Sequence, residues 1–486
     1  MTQVATNQQR VAYNTAIQVI GRAVTGILGL VAISLSTRYL GLNHYGQLTT
    51  ALIFVGLFSA ICDAGTATIA VRELVQSQRK PASVVGNVLI LRTLLGLAAV
   101  VLTLVLGQLI YPGSGSQPIR LAIDLLSLTL LLTTIQDAVT ATLVARLRND
   151  LLVIGDIIGR LVSLAAIILV IHQHWGFVGL IWATLAGVMA NFVSDCLCGI
   201  FYIKPDLHPD PAYMKRVLWL SAPIGAGVIL NSIYFKADGF LLSLFKGSAS
   251  VGLYGVAYKL VELTMAFPIF FTAAVFPLTS AAAHDVKRLN EITARAARIL
   301  NVTSAPIIVG SIVLAAPLIK ILGGQAFAAA ALPMEILMLA NYFVYNSTVY
   351  SGPLIARNLQ SKTLKVIAVV LTVNVLVNLV AIPRAGTVGA AWVVVLSEIV
   401  TLILLRYYYR RYISQPPSLL SNLPVLGCAA VMGLVVWLVK QATPNLPAAS
   451  SLGLLLLVGA LAYTALIFGT KLYSVQELKS LFQRQV

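Results

Sequence analysis

Long apolar runs separated by short polar connections make up almost the whole chain. Each run has about 20 residues or more, which is the length an α-helix needs to cross a bilayer. The pattern predicts an all-α polytopic membrane protein with about fourteen spans, at approximately 11–38, 46–70, 83–110, 120–143, 151–172, 177–202, 217–240, 251–277, 297–318, 331–355, 363–382, 387–408, 421–440 and 451–470. Because the connections are short, no separate soluble domain is expected.

Two stretches repeat along the chain. HWGFVGLIWA, beginning at His174, matches RAGTVGAAWV, beginning at Arg384, with two glycines, a valine and a tryptophan identical at an offset of 210. A weaker match sets GLNHYGQLTTAL at Gly41 beside GSASVGLYGVAYKL at Gly247. Six spans per half is an even number, so the repeat predicts two lobes related by a pseudo-two-fold axis along the membrane normal, with a substrate cleft between them.

The repeat and the polar connections predict four regions. These are an N-terminal six-helix lobe at 1–203, a proline-rich cytoplasmic linker at 204–216, a second six-helix lobe at 217–412, and two extra helices with a cytoplasmic tail at 413–486. A second polar connection, from His284 to Arg298, is expected to form a short amphipathic helix on the membrane surface.

The placement of charge explains a net charge of +17. When the connections are assigned alternately to two sides, 22 of the 33 lysines and arginines fall on one side, six on the other and five inside spans. The positive-inside rule then places both termini in the cytoplasm. The basic surplus follows from topology, so no nucleic-acid partner is expected.

The residues that commonly hold metals or cofactors form no such pattern. Cys62, Cys196, Cys198 and Cys428 lie in or beside spans without metal-ligand spacing, and they are interpreted as core residues. The one close histidine pair, His172 and His174, lies beside a turn and is interpreted as solvated. The sequence therefore predicts no metal site and no cofactor.

Arg22 is the leading candidate for substrate binding. It lies near the middle of the first span, on a stripe with Asn14, Gln18 and Gly26 at every fourth residue. A guanidinium at that depth costs about 2.5–3.5 kcal/mol on insertion scales, so it normally faces a protein interior or an aqueous cavity. Arg22 is therefore predicted to face a central cavity and hold an anionic substrate.

Three further cations are candidates for the same cavity, and each has a competing structural explanation. Arg92 is at a depth similar to that of Asp63 and would pair with it across neighbouring helices. Lys236 and Lys259 have Asp238 and Glu262 within reach. A third intramembrane arginine, Arg160, is one helical turn from Asp156, the spacing of a structural pair, and is assigned to that role.

Uncharged polar and acidic residues complete the candidate site. Asn231, Tyr234, Tyr254 and Tyr258 lie around the two lysines and could contact sugars, or could satisfy one another between helices. Two carboxylates, Asp63 and Asp137, are candidates for binding a coupling proton or Na⁺, although both have plausible arginine partners.

Several stretches resemble the polysaccharide-synthesis flippases of the multidrug/oligosaccharidyl-lipid/polysaccharide exporter superfamily. They are YLGLNHYGQLTTAL at Tyr39, DAGTATIAVRE at Asp63, GSASVGLYGVAYKLVEL at Gly247, GGQAFAAAALPMEIL at Gly323 and NLVAIPRAGTVGAAWVVVLSE at Asn378. The resemblance implies a two-lobed transporter, not an enzyme, that moves a polyprenyl-diphosphate-linked oligosaccharide to the outer leaflet by alternating access. Its partners would be this substrate, membrane lipids and polysaccharide polymerase or export proteins.

Two rival functions remain open. An ion-coupled multidrug exporter of the same superfamily would favour carboxylates and aromatic residues in its cavity, and Arg22, Lys236 and Lys259 argue against it. A membrane polysaccharide polymerase or glycosyltransferase would be expected to place acidic or His/Arg groups in a sizeable outer loop, and the outer loops here are short.

Overall fold

A computed structural model of the chain consists of α-helices and short 3-10 turns. It describes residues 2–443, 448–470 and 472, without the side chains of 2–16, 19, 448 and 449, and these ranges contain no β-strand. The predicted all-α fold is confirmed. The helices are α1 (Thr2–Asp63), α2 (Thr66–Gln76), α3 (Pro81–Ile110), α4 (Gln117–Leu126), α5 (Leu128–Ala145), α6 (Asn149–His172), α7 (Gly176–Tyr202), α8 (Pro211–Phe245), α9 (Gly247–Ala281), α10 (Val286–Val313), α11 (Ala315–Gly323), α12 (Ala331–Ala356), α13 (Gln360–Tyr412), α14 (Leu423–Ala442) and α15 (Ala448–Gly469).

Twelve segments of the described chain are long and apolar enough to cross a membrane. Two of them, Ile20–Gln76 and Gln360–Tyr412, have 57 and 53 residues, more than twice the length that one crossing requires. The backbone leaves the helical conformation at Gly41 in α1 and at Gly386 in α13. Counting the two limbs of each bent helix separately gives fourteen crossings, in agreement with the predicted number.

The glycines matched by the repeat have the same backbone conformation. Gly41 and Gly247 have φ of 67° and 75°, and Gly176 and Gly386 have φ of 66° and 56°. These values lie in the left-handed region, which glycine adopts without the strain that a Cβ would cause. Each of the four marks a bend or break between consecutive spans, so the repeat corresponds to equivalent turns. The predicted two-fold relation between the lobes stays a prediction.

The chain divides into two compact units, Met1–Gly252 and Leu253–Val486. In the first unit α8 packs against α1, α2 and α3. The apolar core of this unit includes Phe54 and Phe58 from α1, Ile123 and Leu126 from α4, and Leu130 from α5. The lobe boundary predicted at 204–216 stays a prediction.

Within the first unit, α1 and the start of α9 approach closely just beyond the bend at Gly41. A Cβ on Gly46 would lie 1.8 Å from the backbone oxygen of Ser248, and a Cβ on Gly252 would lie 2.9 Å from that of Leu42. Real Cβ atoms do not come this near to backbone oxygens, so both positions require glycine at this separation.

In the second unit α10 packs against α12 and α14, and α14 packs against α15. The core of this group includes Leu314, Ala429, Met432, Val436 and Leu455. The two extra helices predicted after residue 413 correspond to α14 and α15, whereas most of the predicted cytoplasmic tail lies outside the described residues. The prediction of a separate surface helix before the ninth span is wrong, because Val286–Val313 forms one continuous helix.

The linker between α7 and α8 is bound to the start of α3. The backbone N–H of Asp206 donates to the carbonyl of Ala82 at 2.9 Å, and Asn87 bonds the backbone of His208 and Asp210 at 3.3 and 2.6 Å. A Cβ on Gly86 would lie 1.7 Å from the backbone oxygen of Asp206. The linker can therefore dock on α3 in this position only because residue 86 is glycine.

Two acid–base contacts accompany this linker. Asp210 caps α8 by accepting from the Tyr213 backbone N–H at 3.0 Å, and it pairs with Arg79 at 2.9 Å. The Tyr213 N–H, followed by Arg79, holds the pKa of the Asp210 carboxyl below its usual value. The hydrogen bond to Asp206 raises the pKa of the exposed His208 imidazole.

Candidate functional site

Arg92 lies at the centre of a buried charge cluster formed by α1, α2, α3 and α5. Its side chain pairs with Asp63 at 2.9 Å and with Asp137 at 2.7 Å. It also donates to the Thr134 carbonyl at 3.0 Å and to the Thr66 hydroxyl at 2.8 Å. Arg92 is 0% exposed, whereas the side chains of Asp63 and Asp137 are 30% and 50% exposed.

The pairing of Arg92 with Asp63 that the sequence predicted is confirmed, and Asp137 joins it. Because the guanidinium has no exposed surface, a substrate anion does not reach it in this conformation. Two carboxylates face one guanidinium, so with all three groups ionised the cluster carries one net negative charge. Its exposed portion is acidic, which suits binding of a cation better than binding of a diphosphate.

Arg22 is exposed on the first limb of α1, next to α6. Gly21 permits this approach, since a Cβ there would lie 2.2 Å from the side chain of Val153. Arg22 is also close enough to Asp156 of α6 to interact with it electrostatically. Gln18, on the same predicted stripe, is half-buried, and the side chain of Asn14 lies outside the described residues.

A polar chain that sequence reasoning missed links α5, α6 and α7. Gln136 donates to Asn191 at 2.6 Å and to Asp195 at 2.7 Å, and Asn191 donates to Asp156 at 3.4 Å. Gly155 makes room for it, because a Cβ there would lie 1.9 Å from Oδ1 of Asp195. The four-residue spacing of Asn191 and Asp195 on one apolar helix was the available signal.

The predicted pair of Asp156 and Arg160 is absent from the ion pairs within 4 Å among the described residues. Asp156 accepts a hydrogen bond from Asn191 of the neighbouring helix, and Arg160 acts on it only through a longer-range electrostatic interaction. Both Asp156 and Arg160 are exposed, so the local spacing alone did not determine their contacts.

Lys236 on α8 lies against the second limb of α1. A Cβ on Gly56 would be 2.6 Å from the Lys236 ammonium, so the lysine occupies the space that this glycine leaves. Lys236 and Tyr234 are half-buried, and Asn231 is exposed. The amide of Asn231 is therefore accessible, and its contact with a sugar stays a prediction.

In the second unit, Lys259 pairs with Glu262 at 2.6 Å, with the two side chains 45% and 46% exposed. The compensation of Lys259 by Glu262 that the sequence left open is confirmed. Tyr254 is buried and stacks on Tyr258, with ring centroids 5.8 Å apart. Tyr258 and the Lys259–Glu262 pair thus present the accessible polar surface of this stretch.

A second missed polar cluster joins the two limbs of α13. Asn374, Asn378, Ser397 and Glu398 are all buried. Asn374 donates to Ser397 at 3.3 Å, and Asn378 donates to Asn374 at 3.2 Å. Two asparagines four residues apart in an apolar run were the sequence signal, as in the first unit.

The candidate cations therefore occupy different surroundings. Within the first unit, Arg22 faces α6, Arg92 is enclosed by acids, and Lys236 rests on Gly56; Lys259 belongs to the second unit. Among the described residues no group of three His, Cys, Asp or Glu side chains is placed to hold a metal ion. The four cysteines are free thiols, three of them buried and Cys198 half-buried.

A comparison with protein families decides the classification. The family described as "Polysaccharide biosynthesis protein" matches residues 35–332, which is more than half of the chain. The chain belongs to the polysaccharide biosynthesis protein family.

Two curated proteins related to this family member are transporters by name. The "Probable flippase AglR" of Haloferax volcanii is 25% identical over 169 residues, 34% of this chain and 35% of that protein. The "Succinoglycan biosynthesis transport protein ExoT" of Rhizobium meliloti is 24% identical over 328 residues, 67% of this chain and 65% of that protein. The matches span about a third and about two thirds of the relatives' lengths.

Solved structures share the fold of this polysaccharide biosynthesis protein. The "Lipid II flippase MurJ, inward closed conformation" has a TM-score of 0.80 at 16% identity and covers 93% of this chain and 99% of its own. An inward-facing MATE family multidrug transporter of the MOP superfamily has a TM-score of 0.66 at 14% identity, covering 81% and 98%. These likenesses show that the chain has the fold of these proteins, in keeping with the twelve described segments that are long and apolar enough to cross a membrane.

Proposed function

We propose that this transporter flips a polyprenyl-diphosphate-linked oligosaccharide from the cytoplasmic to the outer leaflet of the inner membrane by alternating access. Support comes from the family, from relatives named as a flippase and a succinoglycan transport protein, and from a fold like that of a lipid II flippase. Polysaccharide polymerase or export proteins would receive the flipped substrate.

The exposed guanidinium of Arg22 carries the proposal for the site. Arg22 lies near the middle of the first limb of α1, whose neighbouring positions are apolar. A charged group at that depth is costly in lipid, so its exposed surface is expected to face an aqueous cavity. A guanidinium binds diphosphate oxygens bidentately, which fixes both the position and the orientation of the headgroup.

The other candidates take complementary roles in this proposal. The ammonium group of Lys236 adds positive potential, and the Lys259–Glu262 pair offers polar contacts. The amides, phenols and rings for the sugar come from Asn14, Gln18, Asn231, Tyr234, Tyr254 and Tyr258. Since Arg92 is enclosed by Asp63 and Asp137, its contribution is to hold these carboxylates in place. The two carboxylates, in excess over one guanidinium, would bind the coupling proton or Na⁺.

The alternative is an ion-coupled multidrug exporter. The MATE-like structural neighbours favour it as far as fold is concerned. The exposed cation on α1 argues against a site for organic cations, because like charges repel in a poorly hydrated cavity.

The test is flipping of a fluorescent polyprenyl-diphosphate oligosaccharide in reconstituted vesicles. Arg22→Ala is compared with Arg160→Ala, which removes another exposed guanidinium from the same unit. We expect the Arg22 variant to flip at least tenfold more slowly, which corresponds to the loss of about 1.4 kcal/mol of binding, and the Arg160 variant to stay near wild type.

Equal effects in the two variants would refute the assigned role of Arg22. If the wild type flips nothing but moves an organic cation under a proton or Na⁺ gradient, the exporter function replaces the proposed one.

A further inference from the structure

A groove lies between the end of α9 and the start of α10, inside the second unit. Its lining is apolar below, with Phe271, Val275 and Leu278 from α9 and Ile292, Ala296 and Ile299 from α10. Its rim carries three charged side chains of α10, Arg288, Glu291 and Arg295. The groove thus joins a hydrophobic floor to a basic edge.

The sequence of α10 explains this geometry. Asp285 caps the helix by accepting from the Arg288 backbone N–H at 3.0 Å, which fixes where the first turn begins. Leu289, Thr293 and Ala296 are buried at helical spacing, whereas Arg288, Glu291 and Arg295 are exposed. Since α10 continues without a break into its span, the charged rim lies at the level where the helix leaves the apolar region.

The two arginines of the rim differ from three other arginines near span ends. Arg79 pairs with Asp210, Arg148 pairs with Asp150, and Arg406 donates to the Tyr350 hydroxyl and the Pro417 carbonyl. By contrast, in the described chain neither Arg288 nor Arg295 has a carboxylate within 4 Å of its side-chain nitrogens. Because both side chains line the groove, their guanidinium N–H groups are available to a ligand bound there.

The chemistry of the groove matches an amphiphile with an anionic head. Two guanidinium groups against one carboxylate leave a net positive rim that attracts a phosphate, and the apolar floor suits a hydrocarbon chain. The seven-residue separation places the two arginines on one face, about 10 Å apart along the axis, so their long side chains can converge on one headgroup.

The size of the groove favours a membrane lipid over the transported substrate as its occupant. Its volume is about 180 Å³. This is below the range of about 300–1,000 Å³ that encloses a whole drug-sized ligand. The groove therefore accommodates a phosphate and the first part of one chain, but not an oligosaccharide.

We propose that the groove between α9 and α10 is a binding site for an anionic phospholipid of the cytoplasmic leaflet. The lipid phosphate contacts Arg288 and Arg295, and one acyl chain lies along Phe271, Val275 and Leu278. The leaflet follows from the positive-inside assignment, which places the α9–α10 connection in the cytoplasm. The site uses none of the residues proposed for substrate binding and is occupied whether or not the substrate is being moved.

Native mass spectrometry of the purified full-length protein tests this proposal. Dioleoyl phosphatidylglycerol is titrated against dioleoyl phosphatidylcholine, which has the same chains and no net charge. We expect one tightly bound phosphatidylglycerol, about fivefold weaker binding for Arg288→Ala or Arg295→Ala, and about 25-fold weaker binding for the double variant. Lys287→Ala and Arg298→Ala remove exposed cations of the same helix that do not line the groove, and they should bind like wild type.

A variant that should bind the lipid more tightly distinguishes a loss of the site from a loss of folding. Glu291→Gln removes the one acidic group of the rim, so phosphatidylglycerol should bind more tightly than to wild type. Equal loss in the rim and control variants, or unchanged affinity in Glu291→Gln, would overturn the proposal. So would equal binding of phosphatidylcholine, displacement of the lipid by soluble glycerol phosphate, or competition by a polyprenyl-diphosphate oligosaccharide, because each identifies a different occupant.

Discussion

The Arg92 cluster illustrates how a charge is kept inside a membrane protein. The guanidinium is fully buried, and its contacts come from two carboxylates, a hydroxyl and a backbone carbonyl. In a low-dielectric interior an unpaired charge costs several kcal/mol, so each partner offsets part of that cost. Asp137 contributes less per contact than its 2.7 Å distance implies, because half of its side chain is exposed to screening.

Replacing Arg92 with alanine should be strongly destabilising. The change leaves Asp63 and Asp137 close together without their shared cation, and removing one partner of a buried pair costs about 3–5 kcal/mol. Thermal unfolding in detergent, followed by intrinsic fluorescence, measures the effect. Arg160→Ala is the control, because Arg160 is exposed and should lose well under 1 kcal/mol. Equal losses in the two variants would contradict the structural role of the cluster.

The sequence allowed some of these contacts to be predicted. Asp63 and Arg92 lie at similar depth on consecutive spans, which was enough to predict their pairing. Asp137 also lay near that depth, but its contact depends on how α5 is rotated about its axis, and an apolar helix has little periodicity to define that rotation. Asp156 was predicted less well, because its hydrogen bond comes from Asn191 on another helix, while Arg160 one turn away interacts with it electrostatically without a contact within 4 Å.

At the scale of elements, the linker from Ile203 to Asp210 is held by backbone contacts to α3. Such contacts depend on the absence of a side chain at Gly86, since the Asp206 oxygen occupies the place of a Cβ. Proline and charge in the linker suggested a solvated connection, and its docking on α3 could not be predicted from composition.

Gly86→Ala should release the linker. In a helix interior alanine is normally more stable than glycine by about 0.5–1 kcal/mol. A loss of stability in this variant must therefore come from the displaced linker. Hydrogen exchange of the amides of 204–210 should accelerate, and the unfolding temperature should fall. Gly427→Ala in α14 is the control, because a Cβ there has no atom within 4 Å, and it should be neutral or stabilising. A Gly86 variant with unchanged exchange would show that the linker is not held at this point.

The stability of the docked linker should fall both at acidic pH and at alkaline pH. The pKa of Asp210 is lowered in the folded state, so its contribution is present above about pH 4 and is lost as pH falls through the folded value. The pKa of His208 is raised, so its contribution is present below about pH 6.5 and is lost as pH rises through the folded value.

Hydrogen-exchange protection factors of the linker, corrected for intrinsic rates, should therefore be highest between these limits. Asp210→Asn keeps a capping side chain but removes one of two titrating carboxyls, since the hydrogen bond with His208 also lowers the pKa of Asp206. The acidic decline should therefore become shallower while the alkaline decline persists. A decline in Asp210→Asn as steep as in wild type would assign the acid sensitivity to another group.

For the whole molecule, the asymmetric distribution of basic residues predicts orientation. Single cysteines can be introduced at Ser114 in the connection after α3 and at His208 in the linker, both exposed, in a chain whose four cysteines are replaced. A membrane-impermeant maleimide should label position 114 in intact cells and position 208 only after permeabilisation. The reverse pattern would invert the topology and would place the proposed lipid site in the outer leaflet.

The overall architecture was largely predictable because a bilayer restricts the backbone to a few solutions. Without water to satisfy peptide groups, apolar runs of sufficient length become helices, and their number follows from counting. The glycines that the repeat matched, Gly41, Gly247, Gly176 and Gly386, all have positive φ, although the repeat alone did not predict that conformation. The packing partners of each helix could not be predicted in the same way. Nothing in the sequence of α8 indicates that it packs against α1, α2 and α3 of the first compact unit.

The Arg92 cluster also bears on how this protein can change over evolutionary time. Losing Arg92 leaves both carboxylates uncompensated, and losing both carboxylates leaves a buried guanidinium, whereas replacing all three by apolar residues of similar volume removes the charges and the need to balance them. Intermediate sequences that keep only one sign of charge are the unfavourable ones. Positions 63, 92 and 137 are therefore expected to change together, and a relative of this protein should keep Arg92 with at least one of the carboxylates or lose all three charges.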